Sequence, residues 1–327
     1  MKALITGSAG FIGSHLSQRL LEEGYDVVGI DNLNDYYPSF IKKKNVELCN
    51  DFSRNLDSKF NFVEGDILNQ SIMEEVFDEF NFELVFHQAA QAGVRYSVEN
   101  PIEPNNINVN GTLNLLETSR KNDVRLFINA SSSSVYGETK YLPFDEKHPK
   151  TPKSPYGVSK LASEQYCRVF NELYDINTVS LRYFTVYGPR MRPDMAISNF
   201  VRRCLNNKSP IIYGNGKQTR DFTYIQDVTK ANIELISKKE AQGEIINIGS
   251  GENISIKKLA KEIIKETNLE KEPIYSEKKK GDVKNTYADI KKAKKLINYE
   301  PKFGIKEGIK KYIDWYKKNK DWYKNNK

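Results

Sequence analysis

The stretch that decides the reading is Thr6-Gly7-Ser8-Ala9-Gly10-Phe11-Ile12-Gly13, which follows an apolar run over residues 2–6 and opens a helical pattern over 12–23. Glycine at 7, 10 and 13 turns the chain tightly after a strand, brings its backbone up to a pyrophosphate and lets the helix pack close to the strand. The helix that begins there offers unpaired N–H groups and the positive end of its dipole to the phosphates. A glycine-rich turn without a ligand would share these glycines but would not need the residue that ends the next apolar run, Asp31. A carboxylate at that strand end accepts hydrogen bonds from an adenosine ribose and repels a 2′-phosphate, so the unit predicts NAD rather than NADP.

Working outward, further runs rich in Val, Ile, Leu and Phe at 60–65, 83–87, 124–130 and 178–184 read as strands. Amphipathic stretches at 71–80, 108–122 and 154–174 read as helices between them. Regular alternation of this kind predicts a doubly wound parallel Rossmann sheet, α/β in class, with helices on both faces. Beyond 184 the order loosens into strand pieces at 211–213 and 222–225 and helices at 227–238, 256–267, 290–297 and 305–318. No internal repeat or low-complexity linker separates the halves. The expected division is an NAD-binding domain over 1–184, with a return segment near 223–249, and a smaller interleaved α/β substrate domain over 185–327.

Composition narrows the function. With 39% hydrophobic and 28% charged residues, the 327-residue chain reads as globular rather than disordered. Its net charge of +7 comes from lysines that thicken at 278–280, 291–295 and 310–327. Such runs are solvated helix faces, so no nucleic-acid partner is expected, while a basic bias suits an anionic diphosphate. Cys49, Cys167 and Cys204 share no metal-ligand spacing. No metal is expected, and unpaired thiols point to a reducing, cytoplasmic setting. No apolar run reaches the ~20 residues of a bilayer span, and the N-terminus lacks the apolar core of a signal peptide.

Tyr156 and Lys160 stand one helical turn apart and project from one face. A free tyrosine titrates near ~10, and a neighbouring ammonium together with a positive nicotinamide favours the phenolate, making Tyr156 a candidate base. The run Ser131 to Ser134 ends the fifth strand, where side chains face the ligand crevice of such a sheet. Asp66 and Ile67 follow the third strand, beside the adenine, with Asn32 and Asn34 near the ribose. Ala89 and Ala90, after the fourth strand, are small enough for backbone to lie against the cofactor. His87, just before them, reads as a packed strand-end histidine rather than a catalyst.

With these residues in this order, nearly the whole chain resembles the extended short-chain dehydrogenase/reductase family, and within it the nucleotide-sugar 4-epimerases. The resemblance is carried by the Gly7/Gly10/Gly13 loop with Phe11 and Ile12, by Ser-Ser-Ser-Ser-Val-Tyr-Gly at 131–137 and by Ser-Pro-Tyr-Gly-Val-Ser-Lys at 154–160. Arg-Tyr-Phe-Thr-Val-Tyr-Gly-Pro at 182–189 and Arg-Asp-Phe-Thr-Tyr-Ile at 220–225 complete it. It implies that Tyr156 exchanges the proton of the sugar 4-hydroxyl and that Ser132 hydrogen-bonds the same oxygen. Lys160 would hold the nicotinamide ribose and tune Tyr156. Permanently bound NAD would take hydride from C4 and return it after the 4-keto sugar rotates. Arg220 would bind the diphosphate, and Asn199, Tyr213 and Asp282 the nucleoside and its phosphates. Lys278-Lys279-Lys280 precedes Gly281-Asp282 where many relatives place an arginine. A homodimer through the 108–122 and 155–174 helices is implied as well.

Dehydratases of this family carry Asp-Glu just before Val-Tyr-Gly, and uronate decarboxylases carry Glu there. This chain has Ser133 and Ser134, which argues against both. The strings at 89–97, 31–37 and 192–196 resemble those of UDP-glucuronate 4-epimerases. A uronate carboxylate calls for arginine, and Arg95 and Arg192 are the candidates, with Ser133, Ser134 and Thr185 as hydroxyl donors. The alternative is a UDP-glucose/UDP-galactose 4-epimerase, with the same chemistry on a neutral sugar. An NAD-binding scaffold without turnover would not need Ser132, Tyr156 and Lys160 together.

Overall fold

A computed structural model describes residues 1–278 and 283–323. Seven parallel strands form its centre: β1 (Lys2–Thr6), β2 (Asp26–Asp31), β3 (Phe60–Glu64), β4 (Leu84–His87), β5 (Leu126–Ser132), β6 (Thr178–Tyr183) and β7 (Ile245–Ile248). Their order across the sheet is β7-β6-β5-β4-β1-β2-β3. The order reverses between β1 and β4, and in such sheets ligands bind in the crevice outside the strand ends at that point. β7 comes from beyond residue 184 and pairs with β6, so the second half of the chain re-enters the first half's sheet.

Both faces of the sheet are buried, which is why the strands read as apolar runs rather than alternating ones. Ala3, Ile5, Val27, Leu84, Phe86 and Ile128 enter one core, with Leu16 and Leu20 of the helix α1 (Phe11–Glu22). Leu4, Val28, Val85 and Phe127 enter the other, against Met73, Phe77, Leu115, Leu116 and Phe170. The two-residue period of a strand makes this division.

Three features differ from the expected pattern. Helix α2 (Ser39–Ser53) was not legible, because its buried face carries Lys42 and Asn45 beside Ile41 and Cys49 and therefore has no clean apolar stripe. A short helix, Val94–Glu99, stands after β4, where no helix is expected from the sequence. The helix expected over 108–122 begins as a π-helical turn, Asn106–Asn110, before continuing as Gly111–Lys121. The smaller part of the molecule is built from strand pairs. Thr185–Tyr187 pairs with Phe222–Tyr224, Thr219–Arg220 with Ile254–Ser255, and Ile211–Tyr213 with Ile274–Ser276.

Candidate active site

The carboxyl ends of β1, β2, β4 and β5 open into a cleft of about 390 Å³. Gly7 has φ +69°, and a Cβ there would come within 2.7 Å of the Ala89 amide nitrogen. A Cβ on Gly13 would collide with the Gly7 carbonyl. The loop is thus closed on itself and on the end of β4, with Gly7, Gly10 and Gly13 presenting backbone to the cleft, the surface a pyrophosphate requires. Asp31 closes the loop from the other side, accepting from Ala9 N (3.2 Å) and Leu33 N (2.9 Å). Burial pushes its carboxyl above the ordinary value, and Lys42 and these two N–H groups counter that. Asn32 donates to Asp66 at 2.9 Å, joining the ends of β2 and β3. Gly7, Gly10, Phe11, Ile12, Gly13, Asp31, Asn32, Asp66, Ile67, Ala89 and Ala90 all line the cleft. These residues fit a dinucleotide whose ribose hydroxyls would meet Asp31.

Ser132 ends β5, and its hydroxyl accepts from Ser134 N at 3.1 Å. That leaves its proton for the Tyr156 oxygen, and Ser132 lowers that phenol. Tyr156 is brought there by the helix Pro155–Tyr174, whose N-cap Ser154 accepts from Gly157 N at 3.1 Å. Gly157 permits the approach, since a Cβ on it would lie 2.6 Å from the Ser134 carbonyl. Burial raises the Tyr156 phenol, while the Ser132 hydrogen bond and the charge of Arg192 lower it. Its place in the first turn of a helix also favours the phenolate. Lys160 lies beneath, donating to Ala130 O at 2.7 Å, and burial lowers it to about 8. Arg192, from the far side of the cleft, is a cation whose charge also lowers the Tyr156 phenol.

Ser133, Ser134, Thr185 and Arg192 line the same cleft. Arg192 pairs with Asp194 through Nε–Oδ1 (3.0 Å) and Nη2–Oδ2 (3.3 Å). Arg95, Asn199, Tyr213 and Arg220 do not line it. Arg95 lies over the Tyr213 ring at 5.0 Å, which places it with a residue expected at the nucleoside rather than beside Tyr156. Asn199 is turned to its own segment, donating to Asp194 O at 3.0 Å and accepting from Arg202 at 2.8 Å. Arg220 donates to Thr219 O at 2.8 Å and borders a second, smaller cleft of about 110 Å³. Asp282 and Lys279 lie outside the described residues.

His87 is a packed residue. Its ring bridges Thr6 Oγ1 (2.8 Å) and Thr112 Oγ1 (2.9 Å), and burial lowers it to about 3. Sequence reasoning missed Lys42, which lines the cleft and donates to Asn34, because its helix went unread. It also missed Asn108 in the π-helical turn. Asn108 Oδ1 accepts from Gln91 N (2.8 Å) while Nδ2 donates to Gln91 O (3.1 Å) and Ser159 Oγ (2.9 Å), pinning the loop after β4 to the Tyr156 helix. Such turns recur at functional sites, but a side chain's inward rotation there has no sequence period to announce it. Among the described residues no cluster of His, Cys, Asp or Glu could hold a metal ion, and no helix is long and apolar enough to cross a membrane.

A glycine loop, a strand-end carboxylate and a Ser132–Tyr156–Lys160 set thus meet in one cleft, and residues 4–312 match the family described as GDP-mannose 4,6 dehydratase. The chain belongs to this family of extended short-chain dehydrogenases/reductases. It is 44% identical to a putative UDP-glucose 4-epimerase of Methanocaldococcus jannaschii, over 97% of this chain and 98% of that one. It is 40% identical to a UDP-glucuronate 4-epimerase of Thermodesulfobacterium geofontis, over 97% and 96%. The crystal structure of UDP-glucuronic acid 4-epimerase from Bacillus cereus, in complex with UDP-glucuronic acid and NAD, superposes with a TM-score of 0.90 at 39% identity, covering 97% of this chain and 99% of that one. Within the family, Ser133 and Ser134 remove the carboxylate pair on which elimination would depend.

Proposed function

We propose that this enzyme, a UDP-sugar 4-epimerase working with NAD, interconverts UDP-glucuronate and UDP-galacturonate. The observation that carries the choice of sugar is Arg192, which reaches the cleft close enough to act on Tyr156 and shares that cleft with the hydroxyls of Ser133, Ser134 and Thr185. A buried carboxylate needs charge-assisted partners, and a guanidinium with hydroxyls supplies them. NAD, held by its pyrophosphate at the glycine loop, would supply reversible hydride chemistry at C4. The chain's own residues do the rest. Tyr156 takes the proton of the 4-hydroxyl and gives it back, Ser132 hydrogen-bonds that oxygen, and buried Lys160 holds positive charge beneath them.

The test is to incubate purified protein separately with UDP-glucuronate and UDP-glucose and identify the products. A hydrogen bond to a charged group contributes roughly 1.5–3 kcal/mol, so UDP-glucuronate should be favoured by about one to two powers of ten. Arg192→Ala should erode the preference by losing the uronate, with release of some 4-keto pentose as a loosely held β-keto acid loses carbon dioxide. A wild type that prefers UDP-glucose or UDP-galactose overturns the uronate assignment. That neutral-sugar reading is favoured by the 44% identical relative's name and leaves the epimerase chemistry intact.

A further inference from the structure

Arg192, Pro193 and Asp194 form a closed turn just before the helix Ala196–Leu205, with Met195 N bonded to Arg192 O at 3.3 Å. Asn199 Nδ2 fixes the Asp194 carbonyl at 3.0 Å, and Pro193 restricts the backbone between the charged pair. Within this turn Asp194 takes one edge of the Arg192 fork, the side formed by Nε and Nη2. A guanidinium has five N–H donors, so the end-on edge, one N–H of Nη1 and the second of Nη2, is left for another carboxylate. The plane of Arg192 is set from a third direction. Its guanidinium lies 5.4 Å from the centroid of the Tyr36 ring, and the Tyr36 hydroxyl reaches Asp194 Oδ2 at 3.5 Å. Tyr36 is itself wedged against Gly93, whose φ of +114° leaves the space its hydroxyl fills, and against Tyr96 at 5.0 Å between ring centroids.

We infer that Asp194 is a specificity-determining positioning residue, which holds Arg192 by its side edge over Tyr36 so that the end-on edge is presented to the carboxylate of a uronate. This rests on the uronate reading above and adds the device that aims the arginine. Asp194 does not itself line the cleft that holds Tyr156. Its side chain is 48% exposed and that of Arg192 22%, so the pair adds little to folding stability and its effect belongs to binding. Burial raises the Asp194 carboxyl, but the charge and hydrogen bonding of Arg192, with a backbone N–H and the Tyr36 hydroxyl, together outweigh it, so the net shift is downward and the pair stays ionised throughout the neutral range.

The experiment measures steady-state kinetics with UDP-glucuronate in wild type, Asp194→Asn and Asp194→Ala, together with the Kd of UDP, which carries no carboxylate. A mis-aimed arginine loses about one of its charged hydrogen bonds, so the KM for UDP-glucuronate should rise about tenfold in Asp194→Ala. Asp194→Asn keeps one acceptor and should fall between. kcat should change less than KM, since binding is lost equally from ground and transition states. The ratio of KM to the Kd of UDP should move with KM, because the nucleotide site is untouched. A parallel rise in the Kd of UDP marks a merely structural role and overturns the inference. An unchanged or lowered KM overturns it too, since Asp194 would then compete with the substrate for Arg192. A wild type that prefers UDP-glucose overturns the uronate reading itself, and shows this before any variant is made.

Discussion

At Tyr156 burial disfavours the phenolate, while Ser132 and Arg192 favour it. Deleting the phenol but keeping the ring, Tyr156→Phe, should lower turnover by ~10²–10⁴-fold or more with the sugar nucleotide still bound, as single-turnover and binding measurements would show. Near-normal turnover would remove Tyr156 from the mechanism. Lys160 shows the opposite side of the same physics. Burial depresses its ammonium from 10.5 to about 8. The folded state therefore holds fewer protons than the unfolded one between those values. Its cost to stability is in full force below pH 8 and shrinks as pH rises from there toward 10.5. At about 1.4 kcal/mol per unit the shift corresponds to roughly 3 kcal/mol, partly offset by the lost bond to Ala130 O. Lys160→Met should therefore be more stable than the wild type at pH 7 in the cofactor-free protein, with the gap closing by pH 10 in urea titrations, and it should be catalytically impaired. A less stable Lys160→Met would show that the hydrogen bond to Ala130 outweighs the buried charge.

Among elements, the loop from β1 to α1 is defined by what it excludes. At Gly13 a Cβ would also lie 2.8 Å from the Gly7 carbonyl carbon and 2.9 Å from Ser8 Cα, so the loop would have to open. Gly13→Ala should strip the purified protein of most of its NAD, measured as dinucleotide released on denaturation. At Gly304, where a Cβ meets nothing within 4 Å, the same change should leave NAD in place. Equal retention in both variants would mean that the loop does not hold the pyrophosphate. The loop is braced from α2, where Asn45 Nδ2 donates to Ala9 O at 2.9 Å, which explains the polar inward face that hid this helix.

On the scale of the whole molecule, the two parts are joined by polar groups buried where segments cross. Asp221 accepts from Ser250 N (2.7 Å), Ser250 Oγ (2.8 Å), Gly251 N (3.2 Å) and Ala288 N (3.2 Å), tying the Arg220 segment to the chain leaving β7 and to the segment before residues 291–297. Burial raises it from 3.8 to about 6, against these donors. A raised carboxyl contributes stability that is fully present below pH 3.8 and is lost as pH rises through 6. The stability of wild type minus that of Asp221→Asn should therefore fall by roughly 2.5 kcal/mol between pH 4 and pH 7, a difference read from urea midpoints at each pH. A flat difference would show that the carboxyl titrates alike in both states. The buried Arg182–Glu164 pair, 2.7 Å apart and reached by Ser131 and Tyr136, stitches β5, β6 and the Tyr156 helix in the same way.

The sequence alone determined the alternation of strands and helices, the glycine loop with Asp31, and the order Ser132, Tyr156, Lys160. Each is local: a period of two or near four, a turn that only glycine permits, two side chains one turn apart on one helix. What it left to the tertiary structure is whatever depends on meeting across the cleft. The seating of Arg192 over Tyr36, the stacking of Arg95 on Tyr213 and the inward rotation of Asn108 toward Gln91 and Ser159 join residues far apart in the chain or set by one irregular turn. No periodicity encodes them. Two arginines in suggestive strings looked alike in sequence, and only packing separated them. The segment before helix Ala196–Leu205 turns one into the cleft that holds Tyr156, while the other lies on the ring of a distant strand.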